Sequence, residues 1–196
     1  MKSPLNVEPL TGVLGARVSG IDLKSELDKQ VITLLRNAIC EFEVVIVPDQ
    51  SLTPEEQVKF SHLLGPYSPV PFVKPIDEHP EVIKVVKENT EPEAFNFGGV
   101  WHSDFSFLST PPAFTILYAI DVPAIGGDTV WASTTAAYCH LDNDTKNRLH
   151  KITGIHSASA SYSPDQQDLH SQLSNMTIKT SETAKSTQEH PLVCKH

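Results

Sequence analysis

Apolar residues recur at Leu27, Val31, Leu34, Leu35, Ala38, Ile39 and Phe42, the spacing of a helix with one buried stripe. The β-branched run over 44–47, closed by Pro48, then predicts a buried strand. The next helix is marked at its start. Thr53 is a good N-cap, Pro54 suits the first helical position, and Glu56 completes a capping box ahead of Val58, Phe60, Leu63 and Leu64. Gly65 ends that helix, and the prolines at 66, 69, 71, 75 and 80 exclude a long regular element after it. Strand-like runs follow over 82–86, 101–108, 115–120, 129–132 and 152–156, with a helical pattern over 134–141. Short strands divided by Gly and Pro, after an opening pair of helices, predict a mainly β fold with flanking helices (α+β), a sandwich or barrel with the helices outside. Over 157–189 Ser, Thr, Gln and Asn dominate, which predicts a polar loop or lid within a single domain spanning 1–196. Leu192 and Val193 read as the start of a further strand.

Composition narrows the function classes. The 196 residues hold 15 Lys+Arg and 24 Asp+Glu, a formal net charge of −9 with no block of like charge. This is no electrostatic footprint for phosphate backbones or anionic lipid, so neither nucleic acid nor a membrane is an expected partner. The N-terminus lacks the apolar centre of a secretory signal, and no run nears the roughly 18 apolar residues of a membrane span, so a cytoplasmic location is expected. Cys40, Cys139 and Cys194 are odd in number and unrelated in spacing, and read as reduced thiols rather than a disulfide framework or a zinc site.

The candidate chemistry lies at Trp101-His102-Ser103-Asp104-Phe105. On a strand, i and i+2 share a face, so His102 and Asp104 project together from backbone positions roughly 6 to 7 Å apart. An imidazole nitrogen and a carboxylate oxygen so placed can converge on one divalent metal, and a second histidine would complete a 2-His-1-carboxylate triad. The pattern alone is weak, because nine histidines and eleven aspartates give about 0.5 such triplets by chance. His140-Leu141-Asp142 has the same spacing but closes a helical pattern, where i and i+2 do not share a face. A hydrogen-bonded structural pair therefore stands beside the metal reading of His102 and Asp104.

Longer motifs add to this. Trp101-His102-Ser103-Asp104, Pro111-Pro112, Gly126-Gly127-Asp128-Thr129-Val130-Trp131 and Ala136-Ala137-Tyr138 resemble the taurine dioxygenase (TauD/TfdA) family of Fe(II)- and 2-oxoglutarate-dependent dioxygenases. The likeness extends back through Pro9-Leu10, Gly15-Ala16, 19–23, Val44-Val45 and Asp49-Gln50. It implies a double-stranded β-helix (jelly roll), with iron held by His102 and Asp104 and a 2-oxoglutarate carboxylate bound by the Thr129 hydroxyl. It also implies dioxygen and a small organic acid, of sulfonate or carboxylate class, as substrates, with succinate and CO2 as products. Thr129 has an alternative as an ordinary strand residue.

Family members place a further iron histidine and an arginine for 2-oxoglutarate well downstream of a His-Pro-x-Val segment. Here that segment is His190-Pro191-Leu192-Val193, near the end of the sequence. The resemblance thus implies a C-terminally truncated jelly roll covering about two thirds of a typical member. Of the internal histidines, His156 is the best stand-in on geometry, but the resemblance gives that position no ligand role and favours an ordinary core or surface histidine; His170, His190 and His196 have weaker context. None of the three arginines, Arg17, Arg36 and Arg148, sits in the expected context. Val70 and Gly98 fall where taurine enzymes carry polar substrate-pocket residues, which argues against taurine itself. Two alternatives stay open: a catalytically inactive truncated member, and a hydrolytic zinc enzyme on a similar barrel. An incomplete barrel exposes sheet edges, so self-association, as a homo-oligomer, is expected.

Overall fold

A computed structural model describes residues 5–91, 97–171, 173 and 175–195. The described residues pack as two compact units, one within 5–66 and 116–148, the other within 67–115 and 149–195.

In the first unit, β1 (Asn6–Pro9) pairs antiparallel with β2 (Ala16–Ser19), and β2 pairs in parallel with β3 (Val45–Ile46). A parallel pair needs a crossover, and α1 (Lys29–Phe42) supplies it. Asp28 caps α1 by accepting from the Val31 amide, and Leu35 and Ala38 bury the middle of the expected stripe. On β2 the alternation is equally direct, with Ala16 and Val18 fully buried. The helix α2 (Pro54–Leu64) carries the full capping box: Thr53 accepts from the Glu56 amide, and Glu56 accepts from the Thr53 amide at 2.7 Å. Gln50 explains why its motif matters. Its amide oxygen accepts from Leu23 N at 2.8 Å, while its amide nitrogen donates to the carbonyls of Ile21 and Pro48. Two further helices, α3 (Thr134–Cys139) and α4 (Asn143–Leu149), follow the motif-rich segment.

In the second unit, β4 (Pro75–Ile76) pairs antiparallel with β5 (His79–Ile83), so the proline-rich stretch contributes a short ribbon as well as loop. β6 (Thr153–Ser157) pairs antiparallel with β7 (Thr187–Pro191) over five residue pairs, and Leu192 and Val193 lie beyond the end of β7. Between those strands, part of the polar segment folds into α5 (Ser159–Tyr162), α6 (Gln167–His170) and two 3-10 turns, Pro164–Gln166 and Glu182–Lys185. Its few apolar residues have no helical period because they reach one core from separate turns. Ala158, Tyr162, Met176, Ile178 and Ala184 all pack with Val73 in a single buried cluster.

Three of the strand-like runs are not strands. The run over 101–108 turns at Phe105, whose φ of 48° lies in the left-handed region, and Leu108 N donates back to the Phe105 carbonyl at 2.9 Å. Over 115–120 and 129–132 the chain lies without a ladder. A period of two decides which face a residue takes, but a ladder needs a neighbouring strand, and none is paired with these runs among the described residues. Leu117, Ile120, Val130 and Trp131 are exposed as a result.

Candidate metal centre

His102 and Asp104 are brought together, though on a segment that is not a strand and that leads into the turn at Phe105. His102 Nε2 stands 3.0 Å from Asp104 Oδ1, with both side chains a little under half exposed. The other polar atom of each is already committed. His102 Nδ1 donates to the Val100 carbonyl at 2.7 Å, and Thr115 Oγ1 donates to Asp104 Oδ2 at 2.7 Å. With its proton on Nδ1, a neutral imidazole presents the Nε2 lone pair to the carboxylate. Two acceptors facing each other at that distance make a place for a shared proton or a cation. Cis ligands about 2.1 Å from one metal lie about 3 Å apart, so the donor set fits a divalent ion in an N/O site. The backbone carbonyl on the far ring nitrogen is the usual outer partner of a metal-binding histidine.

The surroundings are partly apolar. Phe105 packs edge-on to Phe107 at 5.9 Å, Phe107 meets Tyr162 at 6.1 Å, and Tyr162 stacks on Phe72 at 5.1 Å. Burial, helped by the Asp104 charge, pushes the Tyr162 phenol above its ordinary value of 10.0, so it stays protonated at neutral pH. Gly98 adopts φ +74°, and a Cβ there would meet His102 Cε1 at 3.5 Å, an ordinary contact; the backbone conformation, not crowding, favours glycine. Val70 packs against the apolar cluster that contains Tyr162.

The remaining candidates disperse. Thr129 belongs to the first unit, where it is exposed in a segment without regular structure. In the second triplet, His140 bonds back to the Ala136 carbonyl, while Asp142 accepts from the Thr145 amide and hydroxyl. They serve two different helix ends. His156 contacts Ser106 and His190, and His170 Nε2 donates to the Ser161 carbonyl at 2.5 Å. His196 lies outside the described residues. Arg17 sits on β2, Arg36 donates to the Leu64 carbonyl at the end of α2, and Arg148 occupies the last turn of α4. Among the described residues, no group of three His, Cys, Asp or Glu side chains is placed to hold a metal. Nor is any helix there long and apolar enough to cross a membrane.

Sequence reasoning missed Thr115 and the Val100 carbonyl. Thr115 is eleven residues from Asp104, and neither helical nor strand spacing links positions so far apart.

Comparison with known proteins assigns the fold first. A crystal structure of a taurine dioxygenase from Burkholderia xenovorans matches with a TM-score of 0.72 at 26% identity, over 99% of this chain and 60% of that one. The fold class is thus the jelly roll of these dioxygenases, mainly β with flanking helices. The chain belongs to the taurine catabolism dioxygenase TauD, TfdA family, whose model matches residues 6–196. It is 32% identical to an alkylsulfatase of Acinetobacter baylyi over 98% of this chain and 59% of that protein. To an alpha-ketoglutarate-dependent sulfate ester dioxygenase of Pseudomonas putida it is 28% identical, over 98% of this chain and 62% of the relative. The chain therefore spans about three fifths of the length of these relatives.

Proposed function

We propose that this chain is the metal-binding part of an Fe(II)- and 2-oxoglutarate-dependent dioxygenase acting on a small organic acid. The observation that carries the proposal is the facing pair His102 Nε2 and Asp104 Oδ1, each with its outer atom already hydrogen-bonded. When bound, iron would couple oxidative decarboxylation of 2-oxoglutarate, giving succinate and CO2, to hydroxylation of a substrate carbon by dioxygen.

The chain's own residues divide the supporting work. The Val100 carbonyl takes the His102 Nδ1 proton, so Nε2, which faces Asp104 Oδ1, is the nitrogen that would meet a metal, while Thr115 holds the Asp104 carboxylate with Oδ1 towards the same place. Phe105, Phe107, Tyr162 and Phe72 form a run of ring contacts that starts at the residue after Asp104. Thr129, in the matched Gly126 to Trp131 segment, is assigned to a 2-oxoglutarate carboxylate on the family resemblance.

The names of the alkylsulfatase and the sulfate ester dioxygenase favour a sulfate ester as substrate. Val70 and Gly98 offer no polar side chain, which supports a substrate with an apolar body over taurine. A cytoplasmic location belongs to the same proposal.

The test is oxygen uptake with succinate formation on adding Fe(II) and 2-oxoglutarate. It is run on the 196-residue chain and on a chimera completed with the segment that the relatives carry beyond it. Turnover in the chimera that disappears with His102→Ala supports the assignment, and a folded chimera that loads iron without turnover contradicts it. Iron binding without turnover in the 196-residue chain alone would make this stretch a catalytically inactive member that retains the metal pair.

A further inference from the structure

Two imidazoles of the ribbon β6·β7 hydrogen-bond to the turn that begins at Asp104. His156 and His190 lie on one face, because His190 is paired with Gly154 and His156 with Gln188, which makes them diagonal neighbours. Their rings are 5.4 Å apart. Each reaches the turn that begins at Asp104: His156 Nδ1 shares a hydrogen bond with Ser106 Oγ at 3.0 Å, and His190 Nε2 donates to the Leu108 carbonyl at 2.9 Å. The two grips fall two and four residues after Asp104, on either side of Phe107. Gly154 leaves room for this arrangement, since a Cβ there would come within 3.1 Å of His156 Nε2. The turn needs such support, because Phe105 holds a left-handed φ of 48° that a phenylalanine rarely adopts.

We infer that His156 and His190 are positioning residues, which hold the 104–108 turn in the conformation that aims Asp104 at His102. The inference rests on the proposed metal role of His102 and Asp104. It assigns His156 a different task from ligation, since its ring is engaged with Ser106.

The two nitrogens used allow a discriminating test. An asparagine amide can take the place of His156 Nδ1, and a glutamine amide the place of His190 Nε2, whereas leucine replaces neither. Co(II) affinity is titrated by visible absorption in the full 196-residue chain and in His156→Leu, His156→Asn, His190→Leu and His190→Gln. Each leucine variant is expected to bind about tenfold more weakly, and each amide variant to recover most of that loss. Equal affinities in leucine and parent chains, or leucine and amide variants weakened alike in step with lost thermal stability, would overturn the inference.

Amide hydrogen exchange of the peptide covering 101–108 supplies a readout that needs no metal. Faster exchange there in the leucine variants, reversed in the amide variants and absent from α1, supports the grip. Unchanged exchange overturns it. A parent chain that binds no Co(II) would count against the metal assignment, while the exchange result would still decide whether the imidazoles hold the turn. If the leucine variants do not fold, Ser106→Ala removes the His156 grip from the other side, with the same faster exchange expected and the same unchanged exchange contradicting it.

Discussion

Thr115 Oγ1 donates to Asp104 Oδ2 at 2.7 Å across eleven residues of chain, and so leaves the other carboxylate oxygen turned towards His102. Under the proposed metal role, a hydroxyl so placed would fix the direction of the Asp104 carboxylate without touching the metal. Thr115→Val keeps the shape and removes the bond, so Co(II) affinity is expected to fall about tenfold, with Thr115→Ser recovering it. Equal affinity in all three chains would show that Asp104 orients itself unaided.

The capping box of α2 predicts a separable stability effect. Thr53→Ala removes the acceptor of the Glu56 amide and should cost about 1 kcal/mol. In a chain of this length that lowers the thermal midpoint by about 2–4 °C. A midpoint within error of the parent's would contradict it.

Acid sensitivity follows from two caps. Hydrogen bonds from the Thr53 backbone and side chain hold the Glu56 carboxyl below its ordinary value of 4.5, and those from Thr145 hold Asp142 below 3.8. Because both folded values are depressed, the stabilisation is present above the ordinary values and is lost as pH falls through the folded ones. Thermal midpoints should therefore drop as pH is lowered below 4.5, and the Glu56→Gln, Asp142→Asn double variant should show a shallower drop. The same slope in parent and variant would assign the acid sensitivity to other groups.

The uncovered apolar runs predict association. The chain exposes 13,879 Å², whereas a compact protein of its 21.5 kDa exposes about 9,200 Å², and two separate globules of half that mass about 11,000 Å². Ile120, Val122 and Ile125 are 88%, 69% and 93% exposed. Sedimentation velocity at micromolar concentration should show oligomers, and Ile120→Lys with Ile125→Lys should shift the population towards monomer. A parent chain that sediments only as a monomer would contradict this.

Local chemistry was legible where neighbours in sequence decide the outcome. The capping box at Thr53 and Glu56, the stripe of α1 and the stop at Gly65 involve groups within four residues of each other, and all appear as expected. The pairing of His102 with Asp104 was also legible, although 101–103 form no strand and the chain turns immediately afterwards, at Phe105. Strands were legible only where a partner exists, as for β6 against β7. The same β-branched pattern at 129–132 stays unpaired, because pairing is a property of two segments and not one. The core of the second unit was not legible, since Met176, Ile178 and Ala184 approach Tyr162 from separate turns at no fixed spacing. Thr115 and Ser106 escaped for the same reason, as did the contacts that His156 and His190, read from the sequence as stand-in ligands, make with the 104–108 turn.

The most direct test of the central assignment is Co(II) titration of the 196-residue chain, followed by visible absorption, beside His102→Ala and Asp104→Ala. Saturable one-to-one binding that each substitution weakens at least tenfold is the predicted result. Binding of equal strength in all three chains would contradict it and leave His102 and Asp104 as a structural hydrogen-bonded pair.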